Sequence, residues 1–513
     1  MFILVLIFVL VVLVALAFSN GTSTSTQSNR ETRNFNGVGN NEWHPEWGAT
    51  NTPLKRKSHR PNRTKMETIN PRVISNAVHR NDGADDMSTQ FTGFVAWWGQ
   101  FLAHEIDLTK TSTEKVEIST SSADVNESFP GRIIEFTRSE RDSDGENPNH
   151  ISSYIDSTNV YGSSDDWARA LRRMDGTGKL KTETSENGEV IPLTNKVEFD
   201  VAKLDHQDLK NMFLVGDIRG NETTMLLSMH TVFLREHNRL CDLFVASDPS
   251  LAGRDETIYQ MARRRITGYM QHITCNEWLP IVTGRSFDTK YAYDPTVDPS
   301  IVTEFSTSAF RFGHTVVPQQ LGPLTLLEAF FNPDYVRANG CDIFFSQAQN
   351  QAMKKANGKM NNTLRNNLFG APTSEKLLDL ATLNIRRAED HDIPTCNVVR
   401  RAYGLPEFSD WDDVTNDSEM KSRLQSVYTD PSEMNLWTAC MVQTPVSGGL
   451  LGDTAVAIIS DQFIRLIKGD RFWYRNNPNN SASDISDIEK TTFGDIVNRN
   501  VQPHVRRDVF RLL

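Results

Sequence analysis

The sequence predicts a mainly α protein, a single large helical domain over residues 34–513 with little β structure. Three observations predict it. Apolar residues recur at helical spacing over 222–246, "ETTMLLSMHTVFLREHNRLCDLFVA", where Met225, Met229, Val232, Phe233, Leu240 and Leu243 fall into register. The same spacing runs through 256–281, 376–388 and 453–468, whereas alternating strand patterns are few and short. No Pro/Ser-rich linker after residue 60 divides the chain, and no internal repeat is visible.

Composition supports this reading. Of 513 residues, 38% are hydrophobic and 23% charged, which suits a globular chain with a sizeable core. A net charge of −11 argues against generic nucleic-acid binding, which needs a basic face. It leaves room for a neutral or cationic small molecule.

From the N-terminus, Phe2 to Phe18 are almost wholly apolar, Ala15–Leu16–Ala17 supply small residues at cleavage spacing, and a polar stretch follows. This reads as a signal peptide over residues 1–17, with an uncleaved anchor as the alternative because no basic segment precedes it. Residues 18–33 are Ser/Thr/Asn-rich and read as a flexible N-terminus. No other stretch approaches membrane length, so the expectation is a secreted chain with no stable membrane span after cleavage. Asn-x-Ser/Thr tripeptides at Asn20, Asn62, Asn126, Asn221, Asn361, Asn416 and Asn479 fit a glycoprotein. The five cysteines are sparse and odd in number, which excludes a disulfide scaffold but leaves one or two bridges open. Residues 110–150 are polar and turn-rich and read as a long loop region.

Four clusters gather residues capable of chemistry. In "WWGQFLAHEID", 97–107, Gln100 and His104 stand at i,i+4 on one helix face, and Glu105 points about 100° away. In "FLVGDIRGNETTMLLSMHTVFLREHNRL", 213–240, Arg219 and Glu222 stand at i,i+3 near a helix start, where they also suit an N-terminal charge pair. His230 and His237 are nearly two turns apart with no third ligand, which argues against a metal there. "AFRFGHTVVP", 309–318, holds His314 among apolar residues, and "LNIRRAEDHDIPTCNVVRRAYGLP", 383–406, holds Asn397 among charges. Taken singly, each cluster suits a core histidine or a solvated charged face.

Together, in order and in wording, they resemble the animal-type haem peroxidase superfamily, with its distal WGQF-x-x-H, its GD-x-R-x-x-E leading into MHT-x-x-x-REHNRL, its proximal FR-x-GHT, and its LNI-x-R-x-x-DH-x-x-P-x-x-N. "GNNEWHPEWGATNTPLKR" at 39–56, "SYIDSTNVYGS" at 153–163 and "IKGDRFWYRN" at 467–476 extend the resemblance over roughly 34 to 480. It implies haem b with His314 as proximal iron ligand and Asn397 bonded to the other ring nitrogen. It implies His104 as the acid–base group that moves the peroxide proton, Arg219 as the distal cation and Gln100 beside the peroxide. The partners would be hydrogen peroxide and small reducing donors, halide, pseudohalide or phenol, oxidised through a ferryl state. It also implies calcium, bound by Glu105 with Ser152, the Tyr154 carbonyl, Asp156 and Thr158, hard oxygen donors at alternate positions.

The sequence departs from the family at telling points. Many members tether haem through two esters, one from an Asp directly before the distal His. Here that residue is Ala103, so only Glu222 remains for an ester. Thr223 stands where some members carry a Met that forms a sulfonium link. Fewer links leave the haem less distorted, and a weaker halide oxidant is expected. Two competing readings stand beside this one. A haem-dependent fatty-acid dioxygenase of the same superfamily would need a Tyr-x-Trp-His segment, which is absent; Tyr335 lies in another context. A peroxinectin-like adhesion protein would use "KGD" at Lys468–Asp470.

Overall fold

The computed structural model describes residues 31–61, 69–370 and 376–513. The signal-peptide assignment, nearly all of the polar stretch at 18–33 and the tripeptides at Asn20 and Asn62 lie outside the described residues. Residues 34–513 pack as one unit. Helix accounts for 43% of the structure and strand for 11%, as the periodicity predicts.

Helix α1, Phe94–Ile106, opens at Gly93 without a side-chain cap and buries every residue except Gln100 and Ala103. A helix apolar nearly all round belongs in a core. Gly99 lets Trp278 pack beneath it, since an added Cβ would stand 3.1 Å from the indole. The short α2, Thr158–Tyr161, follows, and then the 24-residue α3, Thr224–Ser247, whose N-cap Thr223 accepts from the Leu226 N–H. Phe101 of α1 and Phe233 of α3 stack at 5.1 Å, joining the two helices. Next come α4, Asp255–Ile273, and the four-residue α5, Gly313–Val316. Then come α6, Leu380–Asp390, α7, Cys396–Ala402, and α8, Asp453–Lys468. The stretch at 256–281 is one helix only as far as Ile273; a π-turn at Thr274–Trp278 interrupts it before Leu279–Thr283.

The region 110–150 is not simply loop. Strands β1, Thr111–Ser119, and β2, Ile133–Ser139, pair antiparallel with Val116 opposite Phe136 and Ile118 opposite Ile134. Ile118, Ile134 and Phe136 bury one face with Phe129 and Leu377 as a small satellite core. The other face is solvated, so polar residues outnumber apolar ones and mask the alternation. The three short strands β3, Thr182–Thr184, β4, Val190–Thr194, and β5, Phe213–Leu214, form one sheet that leads the chain into α3.

All five cysteines are buried and free, which closes the disulfide option. Among the described residues, no helix is long and apolar enough to cross a membrane.

Candidate active site

The two residues that α1 leaves incompletely buried, Gln100 and Ala103, line a cavity of about 350 Å³ together with His104, Arg219, Glu222 and His314. Three segments far apart in sequence thus meet in one space. Phe310, Leu326, Phe330 and Leu364 make much of its wall apolar.

His104 is 5% exposed, and its Nδ1 is buried without a hydrogen-bond partner. The nearest carboxylates are Asp217, 3.8 Å from Nδ1, and Glu222, 3.7 Å from Nε2, both beyond hydrogen-bond length. Burial first, and the Arg219 charge second, hold the imidazole well below its ordinary pKa, against the pull of Asp217. It is therefore neutral at physiological pH and able to accept a proton.

Arg219 is locked in place. Its Nε and Nη2 each donate to Asp217 at 2.9 Å, and Nη1 donates to the Asp107 carbonyl at 2.9 Å. A bidentate pair of this kind fixes the guanidinium plane as well as its charge. Burial would lower Arg219 and raise Asp217, but their mutual attraction outweighs it in both, so each stays charged. Gln100 Nε2 donates to Glu222 Oε2 at 3.2 Å. Burial pushes the Glu222 carboxyl up to about 7, partly offset by Arg219.

His314 corrects one expectation. Its Nδ1 stands 2.9 Å from Asn384 Nδ2, not near Asn397. Asn397 sits thirteen residues further on, in α7, and spends both amide atoms on the Phe408 backbone: Nδ2 donates to its carbonyl and Oδ1 accepts from its N–H, each at 2.9 Å. Asn384, from α6, also accepts from Arg311 Nη1 through Oδ1 at 3.0 Å. Burial and the nearby Arg311 charge push His314 down to about 3, so it too is neutral. The signal for Asn384 was present, since it is the Asn of "LNI". Asp217, in "GDIR", is the second functional residue passed over. Asp107 and Arg311, at the cavity edge, are others. Asp107 Oδ1 is buried with no partner, and burial raises its carboxyl above the usual range.

This donor set fits a haem. A flat macrocycle needs apolar walls, an imidazole to bind iron and a cation for its carboxylates; His314 and Arg311 supply the polar part.

The residues expected at calcium form a second, fully buried cluster against the other face of α1. Glu105 Oε1 accepts from the backbone N–H of Asp156 at 2.6 Å and from that of Ser157, and Oε2 accepts from Asn159 at 3.0 Å. Ser152 Oγ donates to Asp156 at 2.8 Å, and Thr158 Oγ1 donates to the Glu105 carbonyl at 3.2 Å. Tyr154 Oη donates to the Trp47 carbonyl at 2.8 Å. Burial and then the Asp156 charge hold the Glu105 carboxyl well above its usual value, which the three N–H groups only partly offset. Among the described residues no three His, Cys, Asp or Glu side chains converge on one point. Two carboxylates forced together among hydroxyls nevertheless make a donor set suited to a hard cation.

The comparisons agree with this geometry. The family described as animal haem peroxidase matches residues 32–510. Peroxinectin A of Dictyostelium discoideum is 30% identical, over 94% of this chain and 96% of its own. The human peroxidasin homolog is 29% identical over 94% of this chain but only 37% of its own. Among solved structures, Peroxidase A from Dictyostelium discoideum superposes with a TM-score of 0.87 at 30% identity, covering 94% of this chain and all of the other. The Arabidopsis thaliana fatty acid alpha-dioxygenase superposes at 0.77 with 20% identity over 91% of this chain and 80% of its own, a likeness of fold. The chain belongs to the animal haem peroxidase family. It is a haem peroxidase.

Proposed function

We propose that the chain is a secreted peroxidase that reduces hydrogen peroxide at haem b and oxidises small donors, halides, pseudohalides or phenols. The observation that carries this is the shared cavity: a neutral, unpaired His104, a clamped Arg219 and an amide-bonded His314 meet in one space.

His314 would hold the iron, with Asn384 positioning its ring. The Arg311 guanidinium would supply a cation for the haem carboxylates. When bound, haem supplies the iron at which the peroxide O–O bond breaks and the store for the resulting oxidising equivalents. His104 takes the proton from the peroxide and delivers it to the departing oxygen, so that water leaves. General acid–base help of this kind contributes roughly 10²–10⁴-fold. Arg219 steadies the developing negative charge, and the Asp217 clamp keeps it aimed. Gln100 lines the peroxide site. Glu222 is the cavity carboxyl at the position where the family forms a haem ester, and Ala103 offers none. Calcium, held by Glu105, Asp156, Ser152, Thr158 and the Tyr154 carbonyl, would remove the repulsion between two buried carboxylates and tie α1 to the loop before α2.

Two observations favour this reading over the alternatives. Among the described residues no tyrosine lines the cavity, where a dioxygenase radical would sit; Tyr335 packs instead against Phe344 at 5.7 Å. Asp470 of the "KGD" tripeptide is 1% exposed and accepts from Asn40 at 2.8 Å, so that tripeptide is not presented to a receptor.

The test is an absorption spectrum of purified protein before and after peroxide, followed by acid-solvent extraction. A haem band that responds to peroxide is expected; no haem band overturns the reading. Haem that extracts completely rules out an ester at Glu222. Efficient chloride oxidation near neutral pH overturns the expectation of a weak halide oxidant.

A further inference from the structure

One buried pair takes no part in the chemistry above. Tyr161 and His237 are both fully buried, behind α1. The Tyr161 hydroxyl stands 2.9 Å from His237 Nδ1, and His237 Nε2 stands 2.9 Å from the Gly178 carbonyl. A carbonyl only accepts, so Nε2 carries the imidazole proton. Nδ1 is then the acceptor, and the phenol of Tyr161 donates to it. Burial pushes His237 down to about 4, which keeps it neutral and its Nδ1 open. Tyr161 therefore has a proton acceptor already in place.

The neighbouring tyrosine provides a contrast. Tyr259 meets the Tyr161 ring edge-on at 5.6 Å, but its buried hydroxyl has no hydrogen-bond partner. The Arg172 guanidinium lies 3.9 Å from the Tyr259 ring centroid, while the nearest cation to Tyr161, Arg263, lies at 6.0 Å. Loss of an electron from Tyr259 would strand its proton and set a positive charge beside Arg172. Loss from Tyr161 does not strand its proton, which has His237 Nδ1 to receive it, although Arg172 also disfavours charge on that imidazole.

The short helix that carries Tyr161 also touches the helix that lines the cavity. Two residues before it, the Asn159 side chain donates to the Phe101 carbonyl at 2.9 Å, and Phe101 precedes His104 by one helical turn. The Phe101 ring packs edge-on against His230, on the same helix as His237.

We propose that Tyr161 and His237 form a redox-active pair: in the absence of an external donor, Tyr161 gives one electron to the peroxide-oxidised haem while its phenolic proton crosses to His237 Nδ1. The products are a neutral phenoxyl radical and an imidazolium. A later electron from a donor restores the phenol as the proton returns. The pair thus stores one oxidising equivalent in the protein, away from the haem. This rests on the peroxide chemistry proposed above.

The test mixes holoprotein with peroxide and no donor, freezes it within the lifetime of the oxidised haem, and records electron paramagnetic resonance beside the haem absorbance. A tyrosyl signal is expected, narrowed by ring-deuterated tyrosine. In deuterated water it should show coupling to one exchangeable deuteron, from the hydrogen bond to His237. Tyr161→Phe should lose at least ten-fold of the signal and Tyr259→Phe should keep it. A signal unchanged in Tyr161→Phe, or a tryptophan-type signal, overturns the proposal. So does a haem that reacts while no protein radical forms. Should Tyr161→Phe fail to retain haem, the deuteron coupling in the unsubstituted protein decides. A haem that does not respond to peroxide overturns both this proposal and the reading it rests on.

Discussion

The Asn384 side-chain amide lies 2.9 Å from His314 Nδ1 and 3.0 Å from Arg311 Nη1. The His314 imidazole thus finds its hydrogen-bond partner seventy positions away, in α6.

Asn384 and Asn397 are predicted to behave differently on substitution. Asn384→Ala should weaken haem retention and shift the iron reduction potential, measured by haem titration and spectroelectrochemistry. Asn397→Ala should leave the haem spectrum and potential unchanged. It should cost about 1–3 kcal/mol of stability, because it leaves two buried Phe408 backbone groups unpaired. The reverse pattern would return the proximal role to Asn397.

On the distal side, His104→Ala should slow the reaction with peroxide by roughly 10²–10⁴-fold in stopped-flow absorbance. Arg219→Lys should slow it by roughly 10²-fold, since Lys cannot reproduce the two-point contact with Asp217. Asp217→Asn should resemble Arg219→Lys in rate while haem content stays normal. An Asp217→Asn enzyme with full activity would show that the clamp is dispensable.

The buried histidines are predicted to cost stability on mild acidification, against buried carboxyls such as Glu222 and Glu277, pushed up to about 7 and about 8, that act in the opposite sense. Burial pushes His79, His230 and His237 each down to about 4 from 6.5. Between those values the unfolded chain binds more protons than the folded one, so stability rises with pH and falls as pH drops from about 6.5 toward 4. The full effect is on the order of 3 kcal/mol per histidine at the acid end. Urea midpoints at pH 7 and pH 5 check this. A His79→Gln variant whose midpoint changes between pH 7 and pH 5 as much as the parent's would contradict the burial argument.

Chelation should report on Glu105 and Asp156. Prolonged dialysis against a calcium chelator is expected to lower Tm, and added calcium to restore it. In Glu105→Gln the response should shrink, because one of the two buried carboxylates is gone. Metal analysis showing no calcium in protein that keeps its full Tm would refute the assignment.

Glycan placement follows from burial. Asn221 and Asn361 are 2% and 0% exposed, with side chains bonded to Phe213 and Asp85, so no glycan fits there in the folded chain. Asn416 is exposed. Peptide mass spectrometry of protein from a secreting host should find Asn416 occupied and Asn221 and Asn361 bare.

The long helices were legible because burial on one face leaves a period that survives in the residue order, as in 222–246 and 453–468. The β1–β2 hairpin was not, because its one buried face involves only a few apolar side chains. The four chemical segments could be picked out because their local wording is distinctive. By itself the sequence determined the helical class and the family, and it singled out His104, Arg219 and His314 as candidates that the fold then brings into one cavity. It also determined the absence of an ester-forming residue at Ala103. Only the tertiary structure decided which asparagine serves His314, that Asp217 clamps Arg219, and that Tyr161 rather than Tyr259 has a proton acceptor. Each of these is a contact between residues distant along the chain or pointed by their backbone. Hydrogen bonding selects partners by position to within a few tenths of an ångström, a constraint that residue order does not carry.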